Sequence, residues 1–297
     1  MRWNRGSNAR YQLALWVMLI PFLGGTVLLV LMPMLMTVGL AFTEYDVLSP
    51  PRWRGFESFA IIVRRDLFWI AVRNSLVYML LAVPLRMLGA LSLALLLNQR
   101  RRGIALYRTA IYLPTVIPAI AYALIWLWIY NPLYGPLNKL LGAIGLPEPA
   151  WLADGRTALV AIVIMAGFQL GEGFVILLAG RQEIPKEYYD AAAIDGGTSW
   201  LMMRHITLPL LMPWLILLTI RDIIASVQSS FAPAYLMTDG GPYYATLFVP
   251  LLIFEEAFDR FRFGEASAMM VALFLGLGLL LILLRHATGG WGYSDDI

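Results

Sequence analysis

Five ionisable side chains lie in long apolar stretches of the sequence: Arg73, Arg86, Glu172, Arg221 and Asp222. Arg73 is close to the end of its stretch, where its long side chain can reach polar surroundings, and the other four lie further inside. A charge in such a position is costly, so it needs an opposite charge or a water-filled cavity nearby. Measured along helices at 1.5 Å per residue, Arg86 and Glu172 lie about 16 and 12 Å from the same end of their stretches. These heights predict a structural ion pair between Arg86 and Glu172. Arg221 and Asp222 lie deeper, about 22–24 Å from the start of their own stretch.

Polar side chains continue beyond Arg221 and Asp222, at Ser226, Gln228 and Ser229. A helix with such a polar outer half is more typical of the wall of a water-filled cavity than of a surface that faces lipid. The alternative is that Arg221 and Asp222 contact a partner protein. The sequence leaves both interpretations open.

The residue types offer little for catalysis. The chain has no cysteine, which excludes disulfides, thiolate metal sites, iron–sulfur clusters and cysteine nucleophiles. Its two histidines, His205 and His286, are too far apart in sequence for a histidine-based zinc site. An intramembrane enzyme would need a nucleophile with its base, or a metal centre. We therefore expect no catalytic residue, no metal site and no cofactor in this chain.

The segments that carry the buried charges have the composition of membrane helices. Of the 297 residues, 60% are hydrophobic and 14% are charged, whereas about a quarter of the residues of a soluble protein are charged. Six segments reach the length of about 20 residues that a membrane-spanning helix needs. They cover residues 13–42, 69–97, 107–130, 157–180, 206–230 and 266–285. The sequence thus predicts an all-α membrane protein with six transmembrane helices.

One six-span domain over residues 13–285 is the simplest organisation, because no internal repeat or low-complexity linker interrupts it. Residues 1–12 and 286–297 flank this domain. The first span is too long for a signal-peptide core, and we expect it to remain as an anchor. Lysine and arginine are more frequent in the loops on the N-terminal side of the spans, and their tightest cluster is NQRRRG at 98–103. This bias predicts that both termini and the loop 181–205 are cytoplasmic.

The loop 181–205 is the longest polar segment with helical propensity, and it contains EIPKEYYDAAAIDGG at 183–197. Pro185 suits the first turn of a helix, and Glu187 suits its positive end. Gly196 and Gly197 predict a stop after that helix, and Thr198 or Ser199 can cap a second one. The first helix could dock on a partner or lie in the membrane interface, and the residues alone favour neither.

These residues resemble the signature loop of the membrane subunits of binding-protein-dependent ABC importers. That signature reads Glu-Ala-Ala, then Asp-Gly after a few residues, then Leu-Pro about a dozen residues later. Here DAA at 190–192, DG at 195–196 and LP at 208–209 occupy those places. Two departures are mild: Asp190 replaces the usual glutamate, and Gly197 stands where alanine is common. Segments 73–98, 107–138 and 237–270 are similar to carbohydrate or glycerol-phosphate permeases of the maltose-transporter type.

The resemblance implies a type I ABC importer permease fold with a cytoplasmic coupling helix that docks on a separate ATPase subunit. It implies a second permease subunit that completes a heterodimer, two cytoplasmic ATPase subunits that bind ATP and Mg, an extracellular substrate-binding protein, and the lipid bilayer of the cell inner membrane. Nucleic acid is not an expected partner. The residues assigned to ATPase coupling are Glu187, Tyr188, Asp190, Ala191, Ala192, Asp195 and Gly196.

The expected function is therefore that of a permease subunit, which forms half of the pathway of an ATP-driven sugar importer and couples through residues 183–209. The residue types agree with a separate ATPase. A Walker A loop needs Gly-Lys-Ser/Thr among further glycines. The two lysines, Lys139 and Lys186, lie in no such motif.

A sugar cargo gives the polar membrane residues a role. Planar charged or amide groups suit sugar hydroxyls, and aromatic faces suit sugar rings. The predicted substrate path comprises Arg221, Asp222, Gln228, Ser229, Trp126 and Tyr130. The alternative is that Arg221 and Asp222 contact the partner permease.

An ion-coupled secondary transporter is the rival function. Its buried charges would form a proton or sodium relay. The lack of an inverted repeat and the small number of helices argue against it.

Overall fold

The computed structural model describes residues 5–99 and 101–287, which form a mostly helical chain with one short hairpin. The chain divides into two compact units. One unit comprises the residues up to Arg64 together with Ile253–Phe274, and the other comprises Arg65–Leu252 together with the residues from Leu275 onwards. We call them the small unit and the large unit.

The small unit begins with a long apolar helix. Helix α1 (Arg5–Thr26), a π-helical segment (Val27–Leu31) and α2 (Met32–Leu40) follow one another without a break. Strands β1 (Thr43–Glu44) and β2 (Arg52–Trp53) then pair antiparallel, and α3 (Glu57–Arg64) follows them. The most apolar window of the first helix contains no residue that is buried within the chain, as suits a surface that faces lipid or another subunit.

In the turn between the two strands, Asp46 has the one clearly shifted pKa among the carboxyl groups that the structure describes outside the spans. The Asp46 carboxylate accepts hydrogen bonds from the Ser49 hydroxyl (2.7 Å) and the Ser49 backbone N–H (2.9 Å). The side-chain bond is the larger cause and the backbone bond adds to it, and together they lower the pKa of Asp46 from its ordinary value. The turn therefore keeps an ionised carboxylate at neutral pH.

The large unit contains most of the remaining helices, and the last helices of the chain extend into both units. In chain order they are α4 (Asp66–Leu96), α5 (Ile104–Val116), α6 (Ala119–Ile129), α7 (Pro136–Ala143), α8 (Ala158–Gly167), α9 (Gly171–Glu183), α10 (Lys186–Ile194), α11 (Ser199–Met202), α12 (Leu208–Ser229), α13 (Phe231–Pro233), α14 (Val249–Phe254) and α15 (Phe263–Ala287). Further π-helical segments cover Met203–Thr207, Ala234–Thr238 and Glu255–Asp259.

Four of these helical stretches are long and apolar enough to cross a membrane: Tyr11–Leu40, Asp66–Leu96, Ser199–Thr238 and Phe263–His286. They confirm the first, second, fifth and sixth predicted spans. The fifth is longer than predicted, because α11 and the π-helical segments before and after α12 extend it to 40 residues.

The third and fourth predicted spans each correspond to a pair of helices with a bend between them. Helices α5 and α6 meet at 103°, and α8 and α9 meet at 40°. At the first break Ile117 is extended (φ −69°, ψ 129°) and precedes Pro118. Proline disfavours the helical conformation of the residue before it, so a helix ends naturally at this point. The described chain reaches six spans only if each bent pair counts as one.

The core of the large unit forms around α4, which packs against α8, α9 and α12. Ala82, Ala90 and Ala94 are fully buried at helical spacing along one side of α4. Such small residues allow membrane helices to approach closely. Phe174 and Leu177 of α9 fill the space beside Ala90 and Ala94. The buried charges of α4 and α12 lie in this helix packing.

Candidate functional site

The loop 181–205 forms a short helix, a tight turn and a second helix start, as the sequence predicts. Helix α10 ends before Gly196, which has a φ of +79°. A side chain in that conformation is strained, although nothing lies within 4 Å of the place that its Cβ would take. Gly197 donates its N–H to the Ala192 carbonyl at 2.8 Å. Thr198 accepts from the Leu201 N–H at 3.4 Å, and this identifies Thr198 as the N-cap of α11.

Tyr189 holds α10 against the two membrane helices beside it. Its hydroxyl lies 2.8 Å from the Thr207 hydroxyl, at the start of the long fifth span. The Arg181 guanidinium, near the end of α9, lies 4.4 Å from the centre of the Tyr189 ring. A cation over an aromatic face is a favourable contact. The two contacts of Tyr189 therefore link α10 to the end of α9 and to the start of α12.

The neighbouring Tyr188 points outward and is 55% exposed. The predicted coupling residues Glu187, Tyr188, Asp190, Ala191, Asp195 and Gly196 are all exposed, and Ala192 is half-buried. They form an accessible surface on the loop 181–205, which we call the polar loop. Sequence reasoning missed the large apolar side chains that follow them: Ile194 is 87% exposed and Trp200 is 64% exposed. Their signal was present in the sequence, since both are apolar residues next to the predicted glycine turn.

The predicted ion pair between Arg86 and Glu172 is wrong. The Arg86 Nε lies 2.9 Å from the Asp222 Oδ2, and both side chains are almost fully buried. Arg86 also donates to the Ser226 hydroxyl, which in turn donates to the Asp222 carbonyl at 2.7 Å. This buried network joins α4 to α12, which pack directly against each other.

Glu172 instead forms an ion pair with Arg221, which links the start of α9 to α12. Successive residues of a helix point about 100° apart, so Arg221 and Asp222 face different neighbours. The height of a residue along its helix, which was the basis of the prediction, does not show which neighbouring helix its side chain faces. The Glu172 and Arg221 side chains are 42% and 47% exposed, so this pair is open to its surroundings. We call Arg86, Glu172, Arg221 and Asp222 the ion-pair layer.

The residues predicted for the substrate path lie in two different environments. Arg221 and Gln228 are exposed and Ser229 is half-buried, whereas Asp222 is engaged by Arg86. Trp126 and Tyr130 are buried in contact with each other, with ring centres 5.1 Å apart. The Tyr130 hydroxyl donates to the Ala161 carbonyl at 2.8 Å. Within the described chain, the exposed members of the set are therefore on α12.

A neighbouring aromatic surface lies at the end of α6. Trp128 is 54% exposed and Tyr134 is 56% exposed. With Asn131 they line an open cavity of about 530 Å³. Aromatic faces beside an amide are suited to sugars. Among residues 5–99 and 101–287, no three His, Asp or Glu side chains are placed to hold a metal ion.

Apolar helices of membrane-spanning length, with ion pairs among them and an exposed polar loop, are the features of a multi-pass membrane protein. The family described as "Binding-protein-dependent transport system inner membrane component" matches residues 87–288, a range that includes both the loop and the ion-pair layer. The chain belongs to this family, and it is a permease of an ABC importer. The predicted family and its fold are thereby confirmed.

Named relatives match nearly the whole chain. A probable ABC transporter permease, YesP of Bacillus subtilis, is 33% identical over 98% of this chain and 95% of its own length. The trehalose/maltose permease MalF of Thermococcus litoralis is 30% identical over 92% of this chain and 93% of its own length. A chain of a bacterial ABC transporter that imports alginate has the same fold, with a TM-score of 0.82, 21% identity and coverage of 95% of this chain and 96% of that one. An ion-coupled secondary transporter finds no support in these comparisons.

Proposed function

We propose that this permease carries a sugar or sugar derivative and couples to a separate ATPase through residues 183–209. The observation that carries the proposal is the loop itself. It presents Tyr188 and Asp190 to a partner, while Tyr189 ties the same helix to α9 and α12. A force on the exposed side of α10 is thus transmitted to two membrane helices.

The cargo is inferred from chemistry and from likeness. The relative from Thermococcus litoralis is named for trehalose and maltose. In this chain, exposed Gln228 offers an amide on α12, and Trp128 and Tyr134 offer aromatic faces at the end of α6. These groups suit hydroxylated rings. The pathway would be completed by a second permease, and an extracellular binding protein would deliver the sugar.

The energy would come from ATP and Mg bound to two cytoplasmic ATPase subunits, with both termini of this chain on the same cytoplasmic side of the inner membrane. The basic cluster at 98–103 supports that orientation. Because the chain has no cysteine, single-cysteine variants report topology without a background. Ser199→Cys should react with an impermeant maleimide only after the membrane is opened. Leu133→Cys, which is an exposed position after α6, should react in intact cells. The reverse labelling pattern would contradict the orientation.

Partner association is tested by purifying the tagged chain from its native membrane in mild detergent. We expect a second six-span permease and an ATPase to co-purify, and we expect added sugar-loaded binding protein to stimulate ATP hydrolysis. Recovery of the chain alone would contradict the proposed assembly. Stimulation by a binding protein loaded with a non-sugar cargo would overturn only the cargo assignment.

A further inference from the structure

A strongly basic cavity lies beside the polar loop, where the end of α4, the start of α5 and the end of α9 meet. Its volume is about 680 Å³, and its polar lining comes from Arg108, Arg181, Lys186, Asn98, Gln99 and Gln182. The part of the wall that the structure describes contains three cationic side chains and no carboxylate. We call it the basic cavity. Its charge favours an anion.

Two of the cations are held in place by other contacts. The Arg108 Nη2 donates to the Leu97 carbonyl at 2.8 Å, and the Arg181 guanidinium lies over the Tyr189 ring. The Arg108 Nε is buried and has no hydrogen-bond acceptor among the described residues. Leaving a buried charged donor without an acceptor is costly. An anionic oxygen in the basic cavity would remove this cost.

A separate apolar groove lies between α4, α5 and the α8–α9 pair, and residues near both cavities follow one another along α4 and α5. The groove has a volume of about 540 Å³ and is lined by Leu85, Leu93, Ala110, Ile111, Pro114 and Phe168. On α5 it begins at Ala110, two residues after Arg108. On α4 it extends from Leu93 back to Leu85, a length of about 12 Å. One leaflet of the hydrocarbon core is about 15 Å deep. A polar site and an apolar groove of this length therefore share α4 and α5.

We propose that the basic cavity and the groove together bind one anionic phospholipid, with its phosphate between Arg108, Arg181 and Lys186 and one acyl chain along α4 and α5. Basic pockets between the cytoplasmic ends of membrane helices suit anionic head groups. The leaflet assignment rests on the orientation in the proposed function, whereas the binding itself does not. Because Arg181 contacts Tyr189 and Lys186 begins α10, the bound phosphate would stabilise the position of α10.

The test is native mass spectrometry of the complete purified transporter, titrated with dioleoyl phosphatidylglycerol, with dioleoyl phosphatidylcholine and with inorganic phosphate. We expect phosphatidylglycerol to bind about tenfold more tightly than phosphatidylcholine, and millimolar phosphate not to displace it. Arg108→Gln should weaken phosphatidylglycerol binding about tenfold, since one charge-assisted hydrogen bond is lost. Arg102→Gln is the matched control, because it removes the same charge from the loop just before α5, outside the cavity lining, and it should stay within twofold of wild type.

A second variant tests the groove separately. Ala110 is exposed, so Ala110→Trp should fill the groove without disturbing the core, and we expect it to weaken phosphatidylglycerol binding severalfold. Equal binding of the two lipids, or wild-type binding by Arg108→Gln, would overturn the proposal. Displacement by phosphate would show that the ligand is a soluble anion instead. If Arg108→Gln releases the ATPase while no lipid is retained, an acidic protein group occupies the cavity and the lipid proposal is wrong.

The lipid count is measured without sugar or ATP. A transporter that proves to carry another cargo would still give the predicted lipid result. The lipid-binding measurement therefore distinguishes failure of the lipid site from failure of the proposed function.

Discussion

The polar loop 181–205 and the ion-pair layer place charged residues in opposite ways. In the loop, Glu187, Asp190 and Asp195 are exposed and available to a partner. In the ion-pair layer, Arg86 and Asp222 are almost fully buried and engaged with each other. The buried pair joins α4 to α12, whereas the exposed loop has the docking role that we propose for it. The following predictions test this difference between the two regions, from the largest expected effect on stability to the smallest.

Breaking the buried pair should have the largest effect on stability. Arg86→Met leaves the Asp222 carboxylate buried without its partner, and loss of one member of a buried pair costs about 3–5 kcal/mol. We expect a large fall in the thermal unfolding temperature of the purified transporter in detergent. The double variant Arg86→Met/Asp222→Leu removes both charges and should recover most of the loss. Unchanged stability of the single variant would show that the pair does not hold these helices.

Loss of the contact between Tyr189 and Thr207 should have a smaller effect on stability, and it should act on coupling to the ATPase. Tyr189→Phe removes the hydroxyl that contacts Thr207 and retains the ring beside Arg181, at a cost of about 1 kcal/mol. We expect the ATP hydrolysis stimulated by the binding protein to fall severalfold at normal protein yield. Tyr107→Phe makes the same chemical change at an exposed tyrosine of α5, outside the loop 181–205, and this control should behave as wild type. Equal effects of both variants would contradict the anchoring role of the Tyr189 hydroxyl.

The partly exposed ion pair between Glu172 and Arg221 should matter less to stability than the buried pair between Arg86 and Asp222. Arg221→Gln removes an ion pair whose side chains are 47% and 42% exposed. A pair that faces a water-filled path contributes about 0–1 kcal/mol, so the unfolding temperature should change little. Substrate uptake is the informative measurement, because Arg221 belongs to the predicted substrate path. A stability loss as large as that of Arg86→Met would contradict the ranking of the two pairs.

At Gln228 we expect a small effect that is confined to uptake. Removing one amide that hydrogen bonds a sugar costs about 1 kcal/mol, so Gln228→Ala should raise the substrate concentration for half-maximal uptake about fivefold. Ile224→Ala, one turn earlier on the same helix, shortens an exposed apolar side chain and should leave uptake unchanged. Normal uptake by Gln228→Ala, measured with the matched binding protein, would remove Gln228 from the substrate path.

The same two regions show what the sequence could predict. The polar loop depends on local signals, since Pro185 begins a helix, Gly196 takes a positive φ and Thr198 caps the next helix. Each of these signals acts within a few residues, so the structure of the loop followed from its sequence. The partners in the ion-pair layer depend instead on which faces of α4, α9 and α12 meet. Height along a helix gives no information about direction around it, and so Arg86 was paired with the wrong carboxylate.

The breaks in the third and fourth spans also separate what the sequence predicts from what it does not. Apolar composition identified both segments as membrane-spanning, but composition does not report direction. Pro118 was a visible signal for the 103° bend, whereas the break between α8 and α9 has no such proline. The burial of Trp126 and Tyr130 was also not predictable, because it depends on the packing of α6 against other parts of the large unit.

The central claim is that the polar loop transmits the energy of a separate ATPase, and Gly196 tests it most directly. Its φ of +79° strains a β-branched side chain, while the space around it is open, so the folded core should be unaffected. Gly196→Asn is the matched control, since asparagine tolerates this conformation better than other side chains.

The measurement is ATP-driven uptake together with stimulated ATP hydrolysis in vesicles that contain the complete transporter. We predict that Gly196→Val inserts and assembles at normal levels but loses at least nine-tenths of both activities, whereas Gly196→Asn retains most of them, since a strain of about 1–2 kcal/mol distinguishes the two. Normal uptake and normal ATPase stimulation by Gly196→Val would contradict the coupling role of the loop.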